Sequence, residues 1–199
     1  MSYLSDLELR RVLTSGSLKV TPEPEDHRLQ PCSIDLRLGP VLKRYARRCI
    51  DPIRRMQGQR LEAIDLGAEE DIAMHYYPHD TDGYELEPGS FVLGATLEQV
   101  SVDATLCAHV DGRSTLGRLG LMIHVTAGFV DPGFSGNITL EIFNAAPYAI
   151  RLRSGIGIGQ LLVSPVCGTV ERPYGTSGVK SKYGGVQEGP VPPNLGRKL

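Results

Sequence analysis

Asn137-Ile138-Thr139-Leu140-Glu141-Ile142-Phe143-Asn144 is the stretch on which the fold turns. Side chains of a β-strand point alternately to opposite faces, so Ile138, Leu140 and Ile142 share one face and Thr139, Glu141 and Phe143 the other. The first is a core face. The second carries a carboxylate in mid-strand, where Glu141 either points at water or lines a pocket. Outward from it, Ala149-Ile150-Arg151-Leu152-Arg153, a Ser154-Gly155 turn and Ile156-Gly157-Ile158-Gly159-Gln160-Leu161-Leu162-Val163 predict a hairpin-like pair. Upstream, Phe91-Val92-Leu93-Gly94-Ala95-Thr96-Leu97-Glu98 follows a Pro88-Gly89 turn, and Ile34, Leu36 and Leu38 alternate with polar residues as in a half-buried strand. Short strands punctuated by Gly and Pro turns argue for an all-β barrel or sandwich. The 23 Gly and 14 Pro among 199 residues fit a chain of many turns and few long helices.

One helix is written at the start. Ser5 followed by Glu8 makes a capping box, Leu4 and Leu9 form a hydrophobic staple, and Gly16 marks the stop. Residues 44–82 are charged and without clear period, which predicts loops and short strands on a solvated surface. The last segment, from Glu171 to Leu199, is rich in Gly and Pro. It sets Arg172, Lys180, Lys182, Arg197 and Lys198 against Glu171 and Glu188. It reads either as a disordered tail or as a cationic lid that orders on an anionic ligand.

Composition narrows the class. With 41% hydrophobic and 22% charged residues, the chain is an ordinary globular protein of a length suited to one domain. A net charge of −2 gives no general drive toward nucleic acid or an anionic membrane. No apolar run approaches the roughly 18–20 residues of a membrane span, and Met1-Ser2-Tyr3-Leu4-Ser5-Asp6 lacks the regions of a signal peptide, so a cytoplasmic protein is expected. Cys32, Cys49, Cys107 and Cys167 form no CxxC pair and are expected to be free, buried thiols. His27, His75, His79, His109 and His124 give no HxE, HExxH or HxH, so the H-x-E and P-C-x-x-C elements of a zinc deaminase are missing. No protein metal site, and no zinc, is expected.

Three constellations carry chemistry. In Gly112-Arg113-Ser114-Thr115-Leu116-Gly117-Arg118-Leu119-Gly120, Ser114 is placed to cap a helical turn whose free N–H groups favour an anion, and Arg113 and Arg118 offer forks suited to phosphate. The same residues also fit plain surface. Thr126-Ala127-Gly128-Phe129-Val130-Asp131-Pro132-Gly133 ends in a turn signal, and Ala127-Gly128 allows a ligand close to the backbone. Glu141 is the third; lining a cleft, it would be available to move protons.

Taken in order, these segments resemble the dCTP deaminase family of the dUTPase-like superfamily. The resemblance runs over most of the chain, from Leu4-Ser5-Asp6 and Gln30-Pro31-Cys32-Ser33-Ile34-Asp35-Leu36-Arg37-Leu38-Gly39, through the core from Gly112 to Leu121. It continues through His124-Val125-Thr126-Ala127-Gly128-Phe129, Asp131-Pro132-Gly133-Phe134-Ser135-Gly136 and Thr139-Leu140-Glu141, and then Ile158-Gly159-Gln160-Leu161, Pro173-Tyr174 and Lys182-Tyr183. It implies an all-β, distorted β-barrel (β-clip) subunit with short helices, forming a homotrimer with active sites between subunits. Residues 1–170 would be the deaminase domain and 171–199 its nucleotide-closing tail. Deamination would need no metal-bound hydroxide. Glu141 would shuttle protons between a water and the cytosine ring, Ser114 and the Ala127 carbonyl would hold the water, and Arg118 would support the charge around it. The substrate would meet Arg113, Ser114, Thr115, Leu116, Gly117, Arg118, Asp131 at the 3′-hydroxyl, Thr139, Leu140, Glu141, Gln160, Tyr174, Lys182 and Gln187. Mg²⁺ would ride on the triphosphate. dTTP would be a feedback inhibitor.

Gly128-Phe129 and Gln160 stand where strictly monofunctional members carry His-Arg and lack the glutamine. That implies a bifunctional enzyme making dUMP, ammonia and pyrophosphate from dCTP, the absent bulk leaving room for a second water near the α-phosphate. Thr115 replaces a usual serine, and the tail carries one extra residue before Gln187. A deaminase that stops at dUTP, a plain dUTPase and a catalytically silent nucleotide-binding trimer are the alternatives. Glu141 in Thr-Leu-Glu and the spacing of Arg118 speak against a plain dUTPase.

Overall fold

Helix α1 (Asp6–Ser15) begins where the capping signal places it: the Ser5 hydroxyl accepts from the Glu8 N–H, and Gly16 closes the helix in a left-handed conformation, its N–H bonded to the Leu13 carbonyl. The reciprocal half of the box is not formed with Glu8, whose carboxylate pairs with Arg11. Leu9 is fully buried and Leu4 packs on the same core, which docks the helix onto the sheets. The computed structural model describes residues 2–45, 74–78, 83–177, 181, 183 and 188–193.

Among those residues the regular elements that follow are mostly strands: β1 (Leu18–Thr21), β2 (Leu29–Gln30), β3 (Ser33–Arg37), β4 (Val41–Tyr45), β5 (Met74–Pro78), β6 (Tyr84–Leu86), β7 (Phe91–Val102) and β8 (Leu106–Gly112). A five-residue helix α2 (Ser114–Arg118) precedes β9 (Leu121–Met122), β10 (Phe129–Val130), β11 (Ser135–Asn144), β12 (Ile150–Leu152) and β13 (Gly157–Pro165). One sheet runs β5-β4-β7-β11-β9 with β1 also on β7, a second runs β10-β8-β13-β3-β2, and β12 pairs with β6. The two large sheets meet around one core and are joined by a bridge between Leu38 and Thr96, giving the distorted barrel. A buried ion pair also ties them: Glu98 of β7 takes the Arg37 Nε–H at 2.6 Å and the Arg37 backbone N–H at 2.8 Å.

β11 behaves as its alternation demands. Ile138, Leu140 and Ile142 are buried, and Asn137, Thr139, Glu141 and Phe143 face the other way, half-buried. Its pairing with β7 slips between Asn137 and Thr139, where four steps of β7 are matched by two of β11. The Asn137 amide covers the irregularity by reaching the carbonyls of Thr96, Leu97 and Glu98, while Thr96 Oγ1 takes the Ile138 N–H at 2.9 Å. At the far end, buried Asn144 donates to the Leu86 and Tyr148 carbonyls at 2.8 Å each, closing the turn that leads to β12.

Several sequence expectations are corrected. Ile150–Leu152 and the strand after the Ser154-Gly155 turn do not pair with each other: β12 takes β6, and β13 lies between β8 and β3. The turn changes sheets instead of reversing within one. β3 is buried on both faces, because Arg113 and Gln160 cover Asp35 on its polar side. The described cysteines are free, but Cys32 and Cys167 are exposed in turns and Cys107 is partly exposed; Cys49 lies outside the described residues. Within 44–82 the described parts are the end of β4 and β5, paired from Val41↔Pro78 to Tyr45↔Met74. No helix among the described residues is long and apolar enough to cross a membrane.

Candidate active site

The outward face of β11 forms one wall of a cavity of about 310 Å³. Asn137, Thr139 and Glu141 stand there beside Phe91 and Leu93 of β7, and His124, the run from Ala127 to Val130, and Phe134 line it as well. Tyr174, Tyr183, Val191 and Pro193 of the C-terminal segment close the remaining side. Glu141 is the acid of this lining, and no Lys or Arg stands among the described residues that line it. Thr126 Oγ1 donates to Glu141 Oε2 at 3.3 Å. His124 lines the cavity, and its Nδ1 is buried without a hydrogen-bond partner among the described residues.

The tail is docked, as far as it is described. The Tyr174 N–H donates to the Pro132 carbonyl at 2.7 Å, and its ring packs on Phe134 with centroids 6.1 Å apart. Farther on, the N–H of Gly189 donates to Asn137 Oδ1 at 3.2 Å and that of Val191 to Thr139 Oγ1 at 3.1 Å. Burial holds the Tyr174 phenol above the ordinary tyrosine value, and the negative charge of Asp131 acts in the same direction. Burial likewise raises the Cys107 thiol, again with Asp131 adding to the effect. Asp131 itself is exposed in the turn that follows β10, its carbonyl taking the Phe134 N–H.

The other expected residues that the structure describes are not among those lining the cavity. Arg113 is the N-cap of α2 and bonds no helix N–H through its side chain; its guanidinium pairs with Asp35 at 3.3 Å, and Gln160 donates to the same carboxylate at 3.3 Å. Ser114 is the first helical residue and not the cap, because the carbonyl of Arg113 takes the Leu116 and Gly117 N–H groups. Ser114, Thr115, Gly117 and Arg118 are exposed. Leu140 is fully buried in the core, so any contact it makes with a ligand is through its backbone. Lys182 and Gln187 lie outside the described residues.

The structure therefore brings together Ala127, Gly128, Phe129, Thr139, Glu141 and Tyr174, and keeps Arg113–Arg118 and Gln160 apart from them. Gly128 does not leave free space as expected. A Cβ there would meet the Val110 carbonyl at 2.6 Å and the His109 ring at 2.9 Å, so the chain's own β8 fills the place of the missing side chain. Phe129 is half-exposed at the rim. Sequence reasoning passed over Asn137, although the alternation that placed Thr139 and Glu141 on one face includes it. It also gave no role to His124, to Thr126 beside Glu141, or to Tyr183, Val191 and Pro193 of the tail. Only long-range packing brings those to the cavity. Among the described residues, no three His, Cys, Asp or Glu side chains gather closely enough to hold a metal ion.

Residues 3–166 match the family described as dCTP deaminase-like. The "dCTP deaminase, dUMP-forming" of Mycolicibacterium vanbaalenii is 42% identical over 194 residues, covering 95% of this chain and 93% of that protein. The protein of the same name from Corynebacterium jeikeium is 41% identical over 189 residues, covering 95% and 94%. Among solved structures, the 2′-deoxycytidine 5′-triphosphate deaminase of Agrobacterium tumefaciens superposes with a TM-score of 0.59 at 22% identity, covering 81% of this chain and 47% of that one. The likeness is one of fold.

Proposed function

The chain belongs to the dCTP deaminase-like family, and on that premise we propose that it converts dCTP to dUMP, releasing ammonia and pyrophosphate. The observation that carries the chemistry is a carboxylate, Glu141, on the wall of a mostly apolar cavity roomy enough for a pyrimidine base, tied on one oxygen by Thr126. Glu141 takes a proton from the water that attacks C4 of cytosine and passes it to ring N3; it then carries the proton of the new C4 hydroxyl to N4, the C4–N4 bond breaks as C4 becomes a carbonyl, and ammonia leaves. General acid–base action of this kind is worth roughly 10²–10⁴-fold. The carbonyl of Ala127, which lines the same cavity, holds the water together with Ser114, and Arg118 steadies the charge around it. Thr139 and the Leu140 backbone read the base, and Asp131 takes the 3′-hydroxyl.

The triphosphate needs cations, and the cavity of one subunit has none among its described lining residues. Arg113, Thr115–Arg118 and Gln160 form a separate cluster around Asp35 and the exposed helix α2. A homotrimer resolves this by setting the α2 cluster of one subunit against the cavity of the next. Apolar Leu119, Met122, Val125 and Tyr148, all exposed near α2 and the cavity mouth, fit such a contact. Tyr174, Lys182 and Gln187 close the tail over the phosphates, Mg²⁺ travels with the triphosphate, and the 171–199 segment acts as part of the same domain as residues 1–170. Cleavage between the α- and β-phosphates uses a second water oriented by Asp131, with Gly128 and Phe129 standing beside it in place of a bulky His-Arg pair. dTTP fits the same site as an inhibitor.

The test is a product analysis of purified protein with dCTP and Mg²⁺, counting nucleotides, ammonia and pyrophosphate. Matched dUMP, ammonia and pyrophosphate without accumulating dUTP is the expected result. A dUTP peak without pyrophosphate would remove the second step and leave the role of Glu141 intact; no ammonia would remove the deaminase.

A further inference from the structure

We propose that Thr126 is a positioning residue that sets which oxygen of Glu141 handles the proton; the inference rests on the deaminase reading above. The backbone under Glu141 is fixed, since β11 pairs Glu141 with Leu93 of β7. The side chain above it has three rotatable bonds, and Thr126 Oγ1 donates to its Oε2 at 3.3 Å. A threonine hydroxyl has one proton to give. Given to Oε2, it stabilises the carboxylate and leaves Oε1 as the oxygen turned to the cavity.

The bond also suits both halves of the proton transfer. When Glu141 removes a proton from water, the new O–H forms on Oε1, because Oε2 already accepts from Thr126. That same proton then leaves from Oε1 to ring N3, and the hydroxyl of Thr126 need not turn over. Thr126 is joined directly to Ala127, which lines the same cavity. One dipeptide thus orients the base and presents a carbonyl to the water, so the distance between water and base follows from a single peptide unit.

The exposure of Thr126 makes the hydroxyl removable without disturbing the core. In the full-length protein, Thr126→Val keeps the shape and deletes the donor, whereas Thr126→Ser keeps the donor and deletes the methyl. Hydrogen bonds to charged groups predict a fall in kcat for ammonia release of roughly tenfold to a hundredfold in Thr126→Val. KM for dCTP and the melting temperature stay near wild type, and Thr126→Ser regains most of kcat. Wild-type kcat in Thr126→Val, an equal loss in Thr126→Ser, or a rise in KM alone would each overturn the assignment. Should the wild-type protein itself release no ammonia from dCTP, the deaminase reading fails, a result distinct from any difference among the variants.

Discussion

Gly133 is where the docking of the tail can be weighed. Its φ is +91°, and a Cβ there would lie 2.8 Å from Pro173 Cβ and 3.0 Å from both the N and the O of Tyr174. Gly133→Ala therefore carries two separable costs. Holding an L-residue in the left-handed region costs about 1–2 kcal/mol whether or not the tail is present. Lifting the tail forfeits the Tyr174 N–H bond to the Pro132 carbonyl and the Phe134–Tyr174 ring contact, together about 1–3 kcal/mol. For a chain of this size, 1 kcal/mol moves Tm by roughly 2–4 °C. The assay is a double-mutant cycle: thermal melts of wild type, Gly133→Ala, a chain ending at Arg172, and the two changes combined. In the shortened chain Gly133→Ala lowers Tm by about 2–8 °C, and in the full chain by several degrees more. The full-length variant also shows a raised KM for dCTP with kcat largely kept. Equal losses in both backgrounds would refute the claim that the tail lies across Gly133.

Three further outcomes follow from the same geometry. Glu141→Gln abolishes ammonia release, by roughly 10²-fold or more, and leaves nucleotide binding nearly intact; wild-type-like deamination would sink the mechanism. A Cβ at Gly157 would overlap the Arg113 guanidinium, so Gly157→Ala pushes a flexible side chain off Asp35, raising KM for dCTP roughly tenfold with little change in melting temperature. In an ultraviolet difference titration of wild type against Tyr174→Phe, the missing phenol ionises above the ordinary tyrosine value of about 10, because burial favours its neutral form. The unfolded chain then loses that proton first as pH rises, so the contribution of Tyr174 to stability is whole below the ordinary value and is lost as pH passes the folded one.

How much was legible depended on the range of the physics involved. The caps of α1 are contacts within a few residues, and Ser5 and Gly16 act where the sequence places them. The alternation of β11 is likewise a property of one strand, so the core face of Ile138, Leu140 and Ile142 and the opposite face of Thr139 and Glu141 follow from period alone; that the second face lines a cavity does not. The hairpin drawn between residues 149 and 163 failed for the complementary reason. A Ser-Gly turn reverses the chain, but which strand each arm pairs with is settled by where β6, β3 and β8 already lie.

The order of motifs along the chain by itself determined the family and the all-β class, and singled out Glu141, the acid that lines the cavity. Tertiary structure decided what surrounds that acid. It set Thr126 against Glu141, used Asn137 both to cover the β7 irregularity and to hold the tail, and filled the place of the Gly128 side chain with the Val110 carbonyl. It also engaged Arg113 with Asp35, away from the cavity. Local pattern specifies which way a side chain faces; what it faces depends on strands distant in the chain, brought near only when the two sheets close on a common core.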